Sequence, residues 1–310
     1  MKRCVVLGAN GFIGNHLCRT LLAAGHQVVA FDIARDFSGL RDVAGERLET
    51  LSGDFLDRAT VRQALRGSDW VFHLVSTTLP ASSNQNMLFD VQSNVVASVA
   101  LLEECRDHGV EKLVFASSGG TVYGVPETLP VTEEAATGPV VSYGVTKLMI
   151  EKYCYLFRHQ FGLNSICLRL ANPFGPGHHG SAQGAISVFL RRLLQGQPIV
   201  IWGDGSVVRD YLYIGDTADA FLRAACYRGS RHVFNIGSGQ GYSLNQVIAR
   251  LEAVTGRAPE VIFEAARGFD VPRIVLDSRW AHTELEWQPV IDLDEGIRLT
   301  WEALQGEQPT

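Results

Sequence analysis

Arg3-Cys4-Val5-Val6-Leu7-Gly8-Ala9-Asn10-Gly11-Phe12-Ile13-Gly14 opens the chain and decides its fold. The apolar run from Cys4 to Leu7 leads straight into three glycines, and helical periodicity begins at once behind them. The pattern predicts strand, tight turn and helix. Gly8, Gly11, Phe12, Ile13 and Gly14 can bring backbone N–H groups close to a pyrophosphate, whose charge is met at a helix N-terminus. The spacing is Gly-x-x-Gly-x-x-Gly, not the Gly-x-Gly-x-x-Gly of the usual dinucleotide fingerprint, and alone it could mark a plain strand-to-helix turn. Asp32, ending the next apolar run, adds a carboxylate placed to accept hydrogen bonds from an adenosine ribose. An acid there favours NAD over NADP, although Arg35 stands nearby. Asp54 and Phe55, in Gly53-Asp54-Phe55-Leu56-Asp57, follow the third run and could meet the adenine, or cap a helix.

Working outward, β-branched runs alternate with helical patterns as βαβ units do. Strands are expected at Arg3–Leu7, Gln27–Phe31, Glu49–Ser52, Trp70–Leu74, Lys112–Ser117 and Ser165–Leu170. Helices are expected at Gly11–Ala24, Arg58–Leu65, Phe89–His108 and Tyr143–Phe161. The fold class is α/β: a doubly wound parallel sheet over residues 1–171, then a smaller lobe over 172–310. Asn172-Pro173-Phe174-Gly175-Pro176-Gly177 marks the change. The segment from 210 to 237 is expected to return in part to the sheet.

With 310 residues, 46% of them hydrophobic and 19% charged, the chain is long enough for two cores. A net charge of −6 with scattered Lys and Arg leaves no footprint for nucleic acid or a membrane surface. The six cysteines are widely spaced, without a Cys-x-x-Cys or Cys/His cluster, and read as reduced core residues of a cytoplasmic protein that holds no metal. The apolar run at the N-terminus is too short for a signal peptide, and no later run is long enough to span a bilayer. His178 and His179 are adjacent loop residues that could not easily face one metal.

Tyr143 and Lys147, four residues apart on an expected helix, share one face. The ammonium can stabilise a phenolate and make the tyrosine a base near neutral pH. Many helices carry this spacing for structural reasons alone. The glycine loop in the same half of the chain turns it into a redox constellation.

Together these motifs resemble the extended short-chain dehydrogenase/reductase superfamily, and within it the nucleotide-sugar epimerases of the UDP-galactose 4-epimerase type. The resemblance runs essentially end to end. It rests on Gly8–Gly14, Asp54, Ser117-Ser118-Gly119-Gly120-Thr121-Val122-Tyr123-Gly124, Tyr143-x-x-x-Lys147, Arg169-Leu170-Ala171-Asn172-Pro173, Val208-Arg209-Asp210-Tyr211 and Arg267-Gly268-Phe269-Asp270. It implies a Rossmann-type NAD domain, a UDP-sugar substrate and a homodimer built from the Phe89–His108 and Tyr143–Phe161 helices. Tyr143 is implied as catalytic base and acid, and Lys147 as its partner and the holder of the nicotinamide ribose. Leu74, Ser76, Asn94 and Ser117 would join the glycine loop around the cofactor. Asn172 would bind the sugar nucleotide's phosphate, Arg209 and Arg267 would clamp its diphosphate, and Tyr211 and Asp270 would accompany them. Ile274 stands where relatives place a gate beside C2 of the sugar.

One position departs from the pattern. Where the best-known epimerases have a third serine, this chain has Gly119, so Ser118 or Thr121 must supply the hydroxyl beside Tyr143, and Ser118 is favoured. Gly119-Gly120-Thr121 lacks the acid pair of a 4,6-dehydratase and the glutamate usual in UDP-glucuronate decarboxylases. A one-way reductase of a 4-keto sugar would keep the same tyrosine and lysine. A non-catalytic dinucleotide sensor would be expected to lose them.

Overall fold

A computed structural model describes residues 1–178, 184–266, 268 and 271–306. Twelve strands are named along them: β1 (Arg3–Leu7), β2 (Gln27–Asp32), β3 (Leu48–Ser52), β4 (Trp70–His73), β5 (Lys112–Ser118), β6 (Ser165–Leu170), β7 (Asn172–Phe174), β8 (Ile199–Trp202), β9 (Val208–Tyr213), β10 (Val233–Ile236), β11 (Gly241–Ser243) and β12 (Val261–Glu264). Seven form a parallel sheet in the order β10-β6-β5-β4-β1-β2-β3. The order reverses between β1 and β4, and such a switch point leaves a crevice at the carboxyl ends of the strands.

Both faces of this sheet are buried, which is why its strands read as continuous apolar runs. Alternate residues feed opposite cores. Cys4 and Val6 of β1 pack with Leu17, Cys18 and Leu21 of the Phe12–Ala23 helix and with Phe221 and Ala224 of the Ile214–Cys226 helix. Val5 and Leu7 face the other way, toward Leu101, Leu102 and Cys105 of the Ala97–Asp107 helix and Ile150, Cys154 and Phe157 of the Ser142–Phe161 helix. Five cysteines are buried, and Cys226 is exposed.

The expected helix over Phe89–His108 is three pieces in the structure: Met87–Asp90, a π-helical stretch Val91–Val96, and Ala97–Asp107. Side chains bond back to the backbone here. Ser93 Oγ donates to Phe89 O (2.6 Å), Asn94 Nδ2 to Asp90 O (3.1 Å) and Ser98 Oγ to Asn94 O (2.6 Å). Such back-bonding competes with the regular ladder, and π turns concentrate at functional sites.

After β6 the chain leaves the sheet. It builds the three-stranded β11-β9-β7 and the two-stranded β12-β8 around Phe174, Ile186, Leu190, Ile201, Val247, Ile297 and Trp301. It returns as β10, which pairs parallel to β6 with Phe234 opposite Leu168. Among the described residues no helix is long and apolar enough to cross a membrane.

Candidate active site

A cleft of about 520 Å³ lies at the carboxyl ends of the sheet strands. Its floor is the glycine loop. Gly8 has φ +89°, a left-handed conformation that L side chains resist. A Cβ on Gly14 would come within 2.0 Å of the Gly8 carbonyl oxygen. Gly11 caps the Phe12–Ala23 helix without a side-chain hydrogen bond, and no acid occupies the first turn. Gly11, Phe12, Ile13 and Gly14 line the cleft, so N–H groups left over from the helix end are available to an anion. Asp32 accepts from Asn10 N (2.9 Å) and Ala34 N (3.1 Å), which fixes its carboxylate against the loop. Loop, uncapped helix end and acid fit a dinucleotide.

The opposite wall is the Ser142–Phe161 helix, with Tyr143 and Lys147 both on the cleft. Lys147 is 4% exposed, and its Nζ donates to Ala116 O at 2.9 Å. That Nζ lies 5.5 Å from the centre of the Tyr143 ring and 4.8 Å from that of Phe115. The cation therefore faces the tyrosine's ring. Burial brings the Lys147 ammonium down to about 8, against the opposing pull of Asp90 and Glu151. Burial also pushes the Tyr143 phenol up to about 12, and Asp90 acts in the same direction. At neutral pH the pair is a phenol beside an ammonium, one deprotonation short of an active base.

The Gly119 region explains its own departure from the family pattern. A Cβ at Gly119 would sit 2.5 Å and 2.9 Å from the two methyls of Leu276, and 3.1 Å from Arg169 O. Leu276 occupies the room a third serine would need. Asp210 helps to hold that segment: it is 1% exposed and accepts from Leu276 N (3.2 Å), Ser238 N (2.8 Å), Ser238 Oγ (2.6 Å) and Gly239 N (3.2 Å). Burial raises this carboxyl to about 6 while those donors pull it down. Ser118 and Thr121 both line the cleft. The Thr121 Oγ1 is buried and has no hydrogen-bond partner among the described residues. An orphaned buried hydroxyl is costly, and a ligand that pairs with it recovers that cost.

Leu74, Ser76, Ser117, Asn172 and Arg209 also line the cleft. The Ser117 Oγ donates to Glu151 Oε1 (2.5 Å), and Glu151 is in turn paired with Arg169 (2.7 Å). Asn172 Nδ2 donates to Asp210 O (3.0 Å), and Arg209 Nη1 to Val271 O (2.6 Å). Five further sequence-predicted residues do not line the cleft. Phe55 is buried with its ring 5.0 Å from that of His73, and Asp54 is exposed with its Oδ1 accepting from Leu56 N. Asn94 is 5% exposed, its amide spent on Thr77 and Asp90. Ile274 is 2% exposed and belongs to the main core, because its backbone N–H pairs with Val208 O and turns the side chain inward. Val271 lines the cleft in that region. Tyr211 is buried in the second lobe with its hydroxyl unpartnered among the described residues. Arg267, Asp270 and His179 lie outside the described residues.

Sequence patterns did not reveal Asp90, Ser83 and Asn84, which hold the head of the tyrosine helix. Ser142 N donates to Asn84 Oδ1 (2.8 Å), Tyr143 N to Ser83 Oγ (3.0 Å), and Ser142 Oγ to Asp90 (2.6 Å). The one available signal was an acid inside the otherwise apolar stretch Met87-Leu88-Phe89-Asp90-Val91.

Comparison with known proteins places this geometry. The model of the NAD dependent epimerase/dehydratase family matches residues 4–237. The chain is 35% identical to a UDP-glucose 4-epimerase of Mycolicibacterium smegmatis, over 97% of each protein. It is 33% identical to a dTDP-4-dehydro-6-deoxyglucose reductase of Escherichia coli, over 94% of each. Among solved structures, a Thermus thermophilus UDP-glucose 4-epimerase in complex with NAD superposes with a TM-score of 0.89 at 34% identity, covering 99% of this chain and all of the other.

Proposed function

Because the chain belongs to the NAD dependent epimerase/dehydratase family, we propose that it inverts C4 of a UDP-hexose, either the glucose/galactose pair or the N-acetylhexosamine pair, through a 4-keto sugar. The observation that carries this reading is the meeting of Tyr143, Lys147, the glycine loop and Arg209 in one cleft. NAD, when bound, supplies a hydride acceptor and donor for the sugar carbon. The residues of the chain do the rest. Gly11–Gly14 would hold the pyrophosphate, Asp32 the adenosine ribose, and Lys147 the nicotinamide ribose. Tyr143 Oη would take the proton of the 4-hydroxyl and return one to the oxygen of the inverted sugar. The unpartnered Thr121 hydroxyl supports Thr121, over Ser118, as the donor to that oxygen. Arg209, with Arg267, would grip the diphosphate and leave the hexose free to turn. Ile274, being buried in the core, does not support the gate beside C2.

The 33% identity with a 4-keto-sugar reductase keeps one second reading in view. Incubating the purified protein with UDP- and dTDP-sugars without added cofactor, and following products by NMR, separates the two. An epimerase that retains its NAD interconverts C4 epimers without added reductant. Consumption of stoichiometric NAD(P)H with a 4-keto sugar, and no epimer exchange, would overturn the epimerase reading.

The same proposal includes a homodimer. Val96, Val145, Met149, Tyr155 and Leu156 are exposed apolar side chains on the Val91–Val96 and Ser142–Phe161 segments, more than a solvated helix face needs. Sedimentation should show a dimer, and a stable monomer at micromolar concentration would refute it.

A further inference from the structure

Asp90 is wholly buried, yet no ion pair holds it among the described residues. Its Oδ1 accepts from Thr78 Oγ1 (2.6 Å) and Asn94 Nδ2 (2.9 Å), and its Oδ2 from Ser142 Oγ (2.6 Å). All three donors are neutral. A buried carboxylate is expensive unless its charge is answered. Two things answer it here: the positive end of the Ser142–Phe161 helix, whose first residue it binds, and the attraction of the Lys147 ammonium, which sits on the same helix and is itself bonded to Ala116 O.

We propose that Asp90 is a positioning residue for the catalytic pair. Its carboxylate ties the cleft-lining loop at Thr78 to the head of the tyrosine helix at Ser142, and its charge keeps Lys147 an ammonium beside Tyr143. The proposal rests on the reading of Tyr143 and Lys147 as the proton-transfer pair. Other titratable groups facing this spot are already answered. Glu151, a turn past Lys147, is paired with Arg169. His73, on β4, is brought by burial down to about 3 and stays neutral, with Nε2 against Ser98 Oγ at 2.7 Å. Of the two carboxylates that favour the ammonium of Lys147, Glu151 is paired with Arg169 while Asp90 is held by neutral donors alone, and burial leaves that ammonium close enough to neutral pH for the effect to matter.

The test uses the full-length protein with Asp90→Asn, which keeps shape and removes charge. The NMR titration of the Lys147 side chain, assigned by its loss in Lys147→Met, should move to lower pH by about half a unit or more. Ser142→Ala, which keeps the charge and breaks one tie, should leave that midpoint in place and lower kcat about tenfold with KM little changed. An unmoved Lys147 midpoint in folded Asp90→Asn would overturn the proposal. If Asp90→Asn does not fold, wild-type kcat in both Ser142→Ala and Thr78→Val would overturn it instead. The lysine titration needs no substrate. Lack of turnover on UDP-sugars by the wild-type protein would sink the functional reading, and the titration would still report on Asp90.

Discussion

Tyr143→Phe should lower kcat for sugar epimerisation by about 10²–10⁴-fold while NAD affinity stays within about threefold. The substitution deletes one oxygen and keeps the ring that faces Lys147 Nζ. The wall of the cleft therefore stays in place and only the proton carrier is lost. Initial rates followed by NMR, together with a fluorescence titration of NAD, check both halves. Near-normal turnover would remove Tyr143 from the mechanism. Thr121→Val and Ser118→Ala grade the neighbouring hydroxyls in the same assay. The buried, unpartnered Thr121 hydroxyl should cost about tenfold when lost, and more than Ser118. The reverse order would return the role to Ser118.

Gly14→Ala should damage fold and cofactor binding together. Its Cβ would lie 2.0 Å from Gly8 O and 2.8 Å from Ala9 Cα, and both obstacles are backbone. A flexible side chain could swing aside, but here the helix start would have to lift off the end of β1. Overpacking of this kind costs about 1–3 kcal/mol or more. For a 310-residue chain that corresponds to a fall in Tm of roughly 1–2 °C per kcal/mol. Because the same lift displaces the N–H groups that line the cleft, NAD affinity should fall at least about tenfold. Calorimetry and NAD titration on one preparation measure the two effects. Wild-type values for both would show that the loop is slack at this glycine.

Much of the sheet is legible because its information is local. Arg3–Leu7 and Ser165–Leu170 have the bounds that their apolar runs predict, since strands buried on both faces read as nearly continuous apolar runs even where a polar residue such as the buried Arg169 interrupts them. The glycine loop is likewise local: a tight turn demands glycines at set offsets. Long-range contacts are what the pattern hides. Nothing near Gly119 announces that Leu276 fills the space beside it, and nothing near Ile274 says that its backbone pairing with Val208 turns it into the core. Asp90 reads as one acid in an apolar stretch, because Thr78 and Ser142 come from distant elements. The break of the Phe89–His108 helix belongs to the same class. Serine and asparagine tolerate a regular helix, and only their back-bonds in place show that the helix has widened.

The return of β10 to the flank of β6 has a consequence for how the protein is made. A ribosome completes β6 and must then deliver the strands from Asn172 to Tyr213 and the Ile214–Cys226 helix before the neighbour of β6 emerges. At about 5–20 residues per second that interval lasts on the order of several seconds. During it, a buried apolar strand waits with an unpaired edge, the kind of surface on which nascent chains associate. The seven-stranded sheet therefore cannot be completed until the first part of the second lobe has been made, and the rest of that lobe is added only after the sheet has closed.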